Sequence, residues 1–365
     1  MADLGIRLQL MIGPTIPIPA PGSVMDALVG LEVQNNDRDF DAFGLSFHLG
    51  RDSVTDYGLV RDGYLSPPNR VIVTVIINGL PEVLIDGVIT RHRLIPSNKP
   101  GESTLQVYGK DISYLLSLEE RNETYRNQSD STIVTMILAR YGQYGFIPAM
   151  TQTTDIPVET ERVPTQQGTD LAFIRELAQR NGFVFYIEPT FPGASTAYWG
   201  AENRTGLPQP PLTIDIGPDS NLDSPLSFEF NADRAEEPQV TILEPMTKMA
   251  IPVPLPASLL PSLSSNPVQP MRKTIPRDTA NLSMIQALLR GLTGQGSASE
   301  SVGTQGMVDA MRYGRVLRSR RLVSVQGSGN TYNGTYYVQQ VTHKIKRGEY
   351  KQNFTLVREG LGSTI

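Results

Sequence analysis

Residues 169–188 have the sequence TDLAFIRELAQRNGFVFYIE, and they join a helix to a strand through a glycine. Four apolar side chains recur at helical spacing, which predicts an amphipathic helix with one buried stripe. The stripe consists of Leu171, Ile174, Leu177 and Ala178, and the water-facing side consists of Arg175, Glu176, Gln179 and Arg180. Either Thr169 or Asp170 can cap the first turn, because its side-chain oxygen accepts a hydrogen bond from an otherwise unpaired backbone N–H.

The helix is predicted to stop at Asn181 and Gly182, since glycine tolerates the left-handed conformation that often follows a helix. Residues 183–187, FVFYI, come next, and a run of aromatic and β-branched residues is typical of a buried strand. By pattern alone, this unit is also compatible with an ordinary core segment of an α+β protein.

The amino acids themselves are more specific than their pattern. An aspartate, an aromatic-led FIREL helix, the letters LAQRNGF and an aromatic strand resemble the central segment of the phage late-control D family. Members of this family are tail-hub proteins of contractile phages and phage-like injection machines, related to the N-terminal hub part of type VI VgrG spikes. The residues that carry the resemblance are Asp170, Phe173, Leu177, Asn181, Gly182, Phe183 and Tyr186.

Composition narrows the class of protein. A length of 365 residues predicts about two or three domains, at about 150 residues each. The 32 Gly and 28 Pro favour many turns over a helical bundle, and 39% hydrophobic residues are enough for a core. A net charge of −5 argues against a nucleic-acid binder that neutralises phosphates. Without cysteine, neither disulfides nor thiolate metal sites can form.

Targeting signals are not apparent in the sequence. Its start lacks the basic and apolar regions of a signal peptide, and no apolar run approaches the roughly 18 residues of a membrane helix. We therefore expect synthesis in the cytosol, with no direct membrane span and with export, if any, inside a larger particle.

The pattern predicts an α+β, mostly β protein with two similar β meanders, and the family resemblance implies that these are tube-type β-barrel or meander domains. Residues 1–117 form the first tube-like β domain, and 118–211 form a small α+β middle domain. Residues 212–245 together with 307–365 form the second tube-like β domain, and 246–306 are an inserted proline-rich and helical segment.

Strand patterns fill the first domain, with a hairpin signal at Asn78-Gly79. The strands are expected at 6–10, 28–33, 43–49, 70–77, 83–90 and 103–108, followed by a short helix-like piece from Asp111 to Leu118. The middle domain opens with a helix at 131–140. A proline-punctuated loop is expected at 189–211, where Trp199 either packs under its own loop or anchors an interface.

The second half of the chain contains the irregular segments. Further strands are expected at 212–216, 226–230, 240–243, 321–325, 334–341 and 350–357. The proline-rich residues 250–276 favour polyproline II and cannot build a regular core. A helix is expected at about 278–290, and the Gly- and Ser-rich residues 291–306 are expected to be a flexible linker.

Residues 321–357 repeat the strand, turn, strand, loop, strand order of residues 70–108. VLIDGVITRHR at 83–93 can be placed beside YYVQQVTHKIK at 336–346, and STLQVYG beside NFTLVRE. Identity is slight, so chance similarity between two meanders remains an alternative.

If the two meanders are copies of one another, their edges provide a way for several chains to assemble. A lone meander has unpaired edge strands that favour pairing with another chain. Two modules per chain, in three chains around a threefold axis, give a closed ring of six. The candidate ring strands contain Val73, Val75, Ile85, Val88, Val338, Val341, Phe354 and Leu356.

The family resemblance implies this architecture and its partners. It implies a homotrimeric hub of the baseplate that adapts a hexameric tail tube, or a tube-initiator protein, to a trimeric spike. Other baseplate proteins would also contact it. The segment after Val357 does not resemble the OB-fold and β-helix spike of VgrG, so the spike is expected to be a separate polypeptide. The chain would lie in the cytoplasm during assembly and in the particle's baseplate afterwards.

The sequence contains no motif typical of an enzyme, and we expect no catalytic, cofactor or metal-binding residues. His48, His92 and His343 lack HxxxH or HExxH spacing and are expected at surfaces or strand ends. A GxSxG elbow, a P-loop and a GxGxxG in its required context are also absent.

Two sets of charged residues are expected to be solvated. The acidic set is Asp37, Asp39, Asp41, Glu119, Glu120, Glu236 and Glu237, whose spacing does not establish a glycosidase pair. The basic set is Arg315, Arg318, Arg320 and Arg321, on or after a helix from about Met307, where an acidic partner surface is the alternative. A structural hub is thus the leading interpretation. A tail-associated cell-wall hydrolase or a carbohydrate-binding module is the alternative.

Overall fold

The computed structural model describes residues 5–50, 56–99, 101–157, 159, 163–243, 249–253, 261–275 and 300–364. Strands predominate over helices, as predicted. The described strands form one large, mainly antiparallel sheet of 13 strands and several sheets of two or three, and no closed barrel forms among them. No helix in these ranges is both long and apolar enough to span a bilayer.

The N-terminal part of the chain contains seven strands and two short helices. The strands are β1 (Arg7–Gly13), β2 (Ile18–Pro19), β3 (Leu28–Asn36), β4 (Ala42–Leu49), β5 (Arg70–Ile77), β6 (Leu80–Ile95) and β7 (Ser103–Asp111), and the helices are α1 (Gly22–Ala27) and α2 (Gly58–Arg61). We refer to these elements as the first β module.

The central part contains two longer helices and five strands. After a 3-10 helix at Ile112–Ser117, capped by Asp111, come β8 (Glu120–Thr124), α3 (Asp130–Ala139), a 3-10 turn at Gly142–Tyr144, β9 (Phe146–Met150), β10 (Thr165–Thr169), α4 (Asp170–Arg180), β11 (Val184–Phe191) and β12 (Ala194–Gly200). We refer to these elements as the middle module.

The C-terminal part contains twelve described strands. They are β13 (Gln209–Thr213), β14 (Ser227–Phe230), β15 (Glu236–Pro238), β16 (Val240–Leu243), β17 (Ala250–Val253), β18 (Ser264–Pro267), β19 (Arg272–Thr274), β20 (Val302–Asp309), β21 (Leu322–Gln326), β22 (Gly334–Lys346), β23 (Glu349–Arg358) and β24 (Gly360–Ser363), with α5 at Ala310–Tyr313 and 3-10 turns at Gly217–Asp219 and Ala232–Arg234. The strands β14 and β20–β23 form the second β module.

The predicted hairpin between β5 and β6 is confirmed. Asn78 and Gly79 both have positive φ, 51° and 81°, which a two-residue hairpin turn of the I′ type requires. Strand β6 is longer than predicted, because its first half pairs with β5 and its second half pairs with β7. In the described chain, residues 91–95 of β6 pair on the β7 side only, and they are exposed.

The two β modules have the same strand order. In the first module β5, β6, β7, β4 and β3 are neighbours in that order, and in the second module β21, β22, β23, β20 and β14 follow it. In chain order, a short helix lies at the equivalent place in each module, α2 between β4 and β5 and α5 between β20 and β21. Both long strands also contain a register shift, between Ile89 and Arg91 and between Val338 and Gln340.

These register shifts correct the sequence alignment of residues 83–93 with residues 336–346. That alignment places Ile89 beside Thr342, whereas superposing the two bulges places Ile89 beside Val338. Both alignments preserve which side chains face inward, because the displacement is an even number of residues along a strand. A pattern of period two therefore cannot distinguish them.

One antiparallel ladder joins the modules into a continuous sheet. Residues 30–36 of β3 pair with residues 340–346 of β22, and we refer to this ladder as the seam. Residues 334–337, at the start of β22, pair with β21. The seam therefore makes a single molecule-wide sheet from segments near the two ends of the chain.

The middle module has the predicted helix, stop and strand. Thr169 accepts a hydrogen bond from the backbone N–H of Ala172 at the start of α4, and Gly182 has φ 68° after its end. Leu177 and Ile174 are fully buried. The predicted loop at 189–211 is wrong, because residues 194–200 form β12 between β11 and β9.

Trp199 lies in this strand and is fully buried, so it is not an interface anchor. Its ring packs edge-on against Phe183, with centroids 4.8 Å apart, and its indole N–H donates to the carbonyl of Ile174 at 3.4 Å. The prolines around Trp199 favoured a loop prediction, although this segment contains a core strand.

The proline-rich and linker segments also differ from expectation. Residues 250–253, 264–267 and 272–274 form short two-stranded ladders rather than polyproline II, since proline is tolerated where one strand edge stays unpaired. The expected helix at 278–290 lies outside the described residues, as do residues 291–299 of the expected linker.

Residues 302–306 are wrongly predicted as linker, because they begin β20 in the main sheet. Glycine has a packing role there. A Cβ atom on Gly306 would come within 2.6 Å of atoms of Leu226 and Phe354, so this strand position excludes larger residues.

We predict that Leu177→Ala destabilises the protein by about 2–5 kcal/mol, because it empties a fully buried position of α4. Phe173→Ala should behave alike, since its ring stacks on Tyr125 at 5.8 Å. Urea unfolding of the purified variants measures the change. Glu176→Ala, on the exposed side of the same helix, is the control and should change stability by less than about 0.5 kcal/mol. Equal effects would contradict the assigned helix face.

Candidate functional site

The seam is stabilised by a buried charge pair. Arg320, just before β21, donates to both carboxylate oxygens of Asp41, at 2.8 and 3.2 Å. It also donates to the carbonyl of Asn36 at the end of β3. Both charged side chains are nearly inaccessible to solvent. Because each charge is paired and hydrogen-bonded, the pair holds the second module against the first with a defined geometry.

Asp41 has further partners that explain its burial. Its carboxylate accepts from the Asn35 side-chain amide at 3.0 Å and from the backbone N–H of Asn36 at 2.8 Å. The backbone N–H of Asp41 donates to Asp111 at 2.9 Å. Burial, and secondly the negative charge of Asp41, raise the pKa of Asp111 to about 6. Asp41 was expected to be solvated, and that expectation is wrong.

The middle module meets the same junction through an aromatic ring. The guanidinium of Arg320 lies 4.6 Å from the ring centroid of Tyr186, which is stacked on Tyr198 at 5.0 Å. Tyr186 belongs to the segment that follows LAQRNGF. The family-like segment therefore places an aromatic side chain on the cation that joins the two β modules.

Arg318 and Arg321 also have acidic partners, whereas the exposed Arg315 has none among the described residues. Arg318 pairs with Glu82 in the first module and donates to the carbonyl of Val83. Arg321 pairs with Glu188 in β11 at 2.8 Å. The expected helix from about Met307 is only the four-residue α5, so these arginines follow it in a loop. The expectation of a solvated helix end is therefore wrong for Arg318 and Arg320.

A second buried ion pair connects the first module to the middle module. Arg70 donates to both carboxylate oxygens of Asp86, at 2.6 and 2.7 Å, and to the carbonyl of Tyr144 at 2.9 Å. The hydroxyl of Ser195 in β12 donates to Asp86 at 3.3 Å. Burial raises the pKa of Asp86, while the hydrogen bonds from Arg70 oppose this rise.

The polar residues of the family-like segment organise the middle module itself. Asp170 is fully buried and accepts from Gln166 at 2.7 Å and from the Tyr141 hydroxyl at 2.8 Å. Asn181 donates to Asp130 in α3 and to the carbonyl of Leu177. These contacts, which the sequence analysis did not predict, give the motif a packing role.

A third charged cluster lies where all three modules meet. The carboxylates of Asp37, Glu202 and Glu300 lie close together, with Arg204 bound to the two glutamates at 2.6 and 2.7 Å. Arg38 pairs with Glu300 from the solvent side. Burial raises the pKa of Asp37 to about 7, although the charge of Arg38 opposes this. Asp37 was expected to be solvated, so this expectation is also wrong.

The remaining acidic residues agree better with expectation. Asp39, Glu119, Glu120 and Glu237 are exposed, and Glu236 is half-buried. Glu236 and Glu237 have surface partners in Arg272 and Lys273.

The eight predicted ring-strand residues are all in described strands and all buried within this chain. They are Val73, Val75, Ile85, Val88, Val338, Val341, Phe354 and Leu356. Their side chains therefore contribute to the module cores. Their place in a ring of several chains stays a prediction.

The three histidines differ in their exposure to solvent. His48 and His92 are exposed, whereas His343 is fully buried in β22. The Nδ1 atom of His343 is 2.9 Å from the Tyr350 hydroxyl, and its Nε2 atom lacks a hydrogen-bond partner among the described residues. Burial lowers the pKa of His343 to about 3, so the ring is neutral. The expectation of a surface or strand-end position is wrong for His343.

Solved structures with a similar fold show what kind of protein this chain resembles. No protein-family model matches the sequence, and no curated protein matches it significantly. Among solved structures, the tail protein from Neisseria meningitidis MC58 matches with a TM-score of 0.62 at 13% identity, covering 98% of each chain. The 43 kDa tail protein of prophage MuSo2 from Shewanella oneidensis matches with a TM-score of 0.61 at 14% identity, covering 97% of this chain and 99% of that one.

The chain has the fold of these tail proteins. A third match is to a protein of a secretion system. The E. coli c3393 protein, described as a type VI secretion component with structural similarity to T4 bacteriophage tail proteins gp27 and gp5, matches with a TM-score of 0.55 at 14% identity. The match covers 91% of this chain and 73% of that one. The family resemblance seen in LAQRNGF is thus confirmed as a shared tail-protein fold over almost the whole chain.

We predict that Arg320→Met destabilises this tail-protein fold by about 3–5 kcal/mol, because it leaves Asp41 charged and buried without a cation. Arg321→Met is the matched control. Its side chain is 50% exposed, so its loss should cost at most about 1 kcal/mol. Chemical denaturation at neutral pH measures both. Similar losses for the two variants would exclude a special role for Arg320.

We predict that acid destabilises the protein partly through His343. Its folded-state pKa is depressed from 6.5 to about 3, so below pH 6.5 the unfolded chain binds the proton more readily. Stability is therefore fully present above that pH and is lost as the pH falls, by on the order of 1 kcal/mol per pH unit. Denaturation curves at several pH values should show a shallower loss for His343→Asn. His48→Asn, at an exposed strand position, should retain the wild-type slope.

Proposed function

We propose that this chain is a non-enzymatic structural hub of a phage tail or a phage-like contractile injection particle. The observation that carries the proposal is that two modules of identical strand order lie side by side in one sheet. The tail-protein fold supports the same conclusion. In this proposal the protein is a homotrimer that joins a hexameric tail tube to a separate trimeric spike, among other baseplate proteins.

The seam supplies the geometry for a ring. Because the modules have equivalent strands, β22 corresponds to β6 and β3 corresponds to β14. The seam pairs β22 with β3 within one chain. Repeating that contact between chains pairs β6 of one copy with β14 of the next. In the described chain both edges are unpaired, at residues 91–95 of β6 and along β14. Three copies then close a ring of six modules.

The equivalence even specifies a register. In the seam Val33 lies opposite His343. Following the bulges and the ladder partners, Leu94 corresponds to His343, and Phe228 corresponds to Val33. We therefore infer that Leu94 of one copy lies opposite Phe228 of the next. Leu94 is exposed in this chain and Phe228 is half-buried, as an interface position requires.

The domain division belongs to the same proposal. Separate groups of buried apolar residues support a middle domain around Leu177 and Trp199 and a second β domain around Val338 and Leu356. The core of the first domain also includes Ile345 and other residues of the second module, because the sheet is continuous. The two β domains therefore act as one rigid body in the proposed hub.

Light scattering tests the assembly. We expect a mass of three times 40.1 kDa for the purified protein, or this mass plus that of the spike when the spike protein is added. A monomer under both conditions would reject the hub. A peptidoglycan-clearing assay on the same sample should show no activity, which separates the hub from a cell-wall hydrolase.

Cysteine cross-linking tests the register. The sequence has no cysteine, so Leu94→Cys with Phe228→Cys introduces a single possible pair. Oxidation should give covalent dimers and trimers on a denaturing gel, since directly opposite residues on neighbouring strands have Cβ atoms about 4.5–5.5 Å apart. Leu94→Cys with Ser227→Cys is the control, because neighbouring strand residues point to opposite faces. Equal cross-linking of both pairs would contradict the inferred ladder.

A further inference from the structure

Three acidic side chains converge from distant parts of the chain. Asp37 follows β3 of the first module, Glu202 follows β12 of the middle module, and Glu300 precedes β20 of the second. One carboxylate oxygen from each lies within 4.8 Å of the other two. The side chains of Asp37 and Glu300 are only 5% and 7% exposed. Such proximity of buried negative charges is unfavourable unless positive charge balances it.

The neighbouring arginines balance the cluster incompletely. Arg204 is buried and binds both glutamates, and Arg38 binds Glu300. When all three carboxylates are ionised, the two guanidiniums leave one excess negative charge. The Arg38 side chain is 56% exposed, so it can turn into solvent when another cation approaches.

Asp37 is the group that the arginines leave unsatisfied. Its Oδ1 atom is buried and accepts no hydrogen bond from any described residue. Its other oxygen is 4.0 Å from the Nε atom of Arg38, beyond hydrogen-bond distance. A buried carboxylate oxygen without a donor is rare in folded proteins. This buried oxygen therefore has the capacity to bind a cation.

We propose that Asp37, Glu202 and Glu300 bind a divalent metal cation, Ca²⁺ by preference, at the point where the three modules meet. The ligands are all oxygen atoms, which hard cations prefer. Ca²⁺ accepts oxygen ligands in a flexible geometry, whereas Mg²⁺ demands a near-ideal octahedron, so three carboxylates from separate segments suit Ca²⁺ better. The side-chain amide of Gln339, 3.4 Å from Glu300, can supply a further oxygen by rotating.

The cation would act as a cross-link rather than as a catalyst. It would connect the end of β3, the end of β12 and the start of β20, beside the hydrogen bond from the Asp37 N–H to the Gln339 carbonyl. Because the unfolded chain cannot assemble these three ligands, cation binding adds directly to the stability of the fold.

The test uses the full chain after treatment with EDTA and removal of the chelator. Calcium chloride or magnesium chloride is then added, and binding is measured by calorimetry and by the melting temperature. We expect one Ca²⁺ per chain, a raised Tm and weaker binding of Mg²⁺. Asp37→Asn should abolish the Tm shift, and Glu202→Gln should weaken Ca²⁺ binding by at least about tenfold, as loss of one metal ligand or its support does.

Asp39→Asn is the matched control, because Asp39 is exposed two positions away and the charge change is identical. It should keep the full Ca²⁺ response. Without metal, Asp37→Asn should melt at a higher temperature than the wild type, since it removes a buried negative charge whose nearest cation, Arg38, is 4.0 Å away. No Ca²⁺ response in the wild type would overturn the proposal. An equal loss of response in Asp37→Asn and Asp39→Asn would also overturn it.

Discussion

The ladder between β3 and β22, together with the Arg320–Asp41 pair beside it, is the interaction on which the rest of the structure depends. Without the ladder, each β module would have an open edge and a separate core. With it, apolar side chains from both modules share one core, as the contact of Ile345 with the first module illustrates. The buried pair adds geometric definition, because its charges are satisfied only when the two modules are in register.

The middle module is attached to this frame by polar contacts of the same kind. Arg70 and Asp86 bind the carbonyl of Tyr144 and the hydroxyl of Ser195, and Tyr186 lies against Arg320. The segment that most resembles the tail-hub family therefore has a structural reason for its composition. Its helix fills the middle core, its Asn181 binds the neighbouring helix, and its strand reaches the seam.

The sequence predicted elements that depend on local pattern and missed those that depend on distant partners. The α4 helix, its stop at Gly182 and the Asn78-Gly79 hairpin follow from neighbouring residues, and all three are confirmed. Strand β12 was missed because proline and glycine around it suggested a loop, while partners in β9 and β11 hold it extended. The burial of Asp41 and Asp37 could not be predicted, since it depends on residues far away in the chain, namely Arg320 beside Asp41 and Glu300 beside Asp37.

The seam also imposes a delay on folding during synthesis, because its two strands are made at different times. Strand β3 is made early, but β22 emerges only after most of the chain has left the ribosome. At about 5–20 residues per second, the interval is on the order of tens of seconds. During that time one edge of β3 has no native partner, and non-local pairing of this kind is slow even after release. Translation speed and chaperone access should therefore influence the yield of native protein more strongly than for a fold built from neighbouring strands.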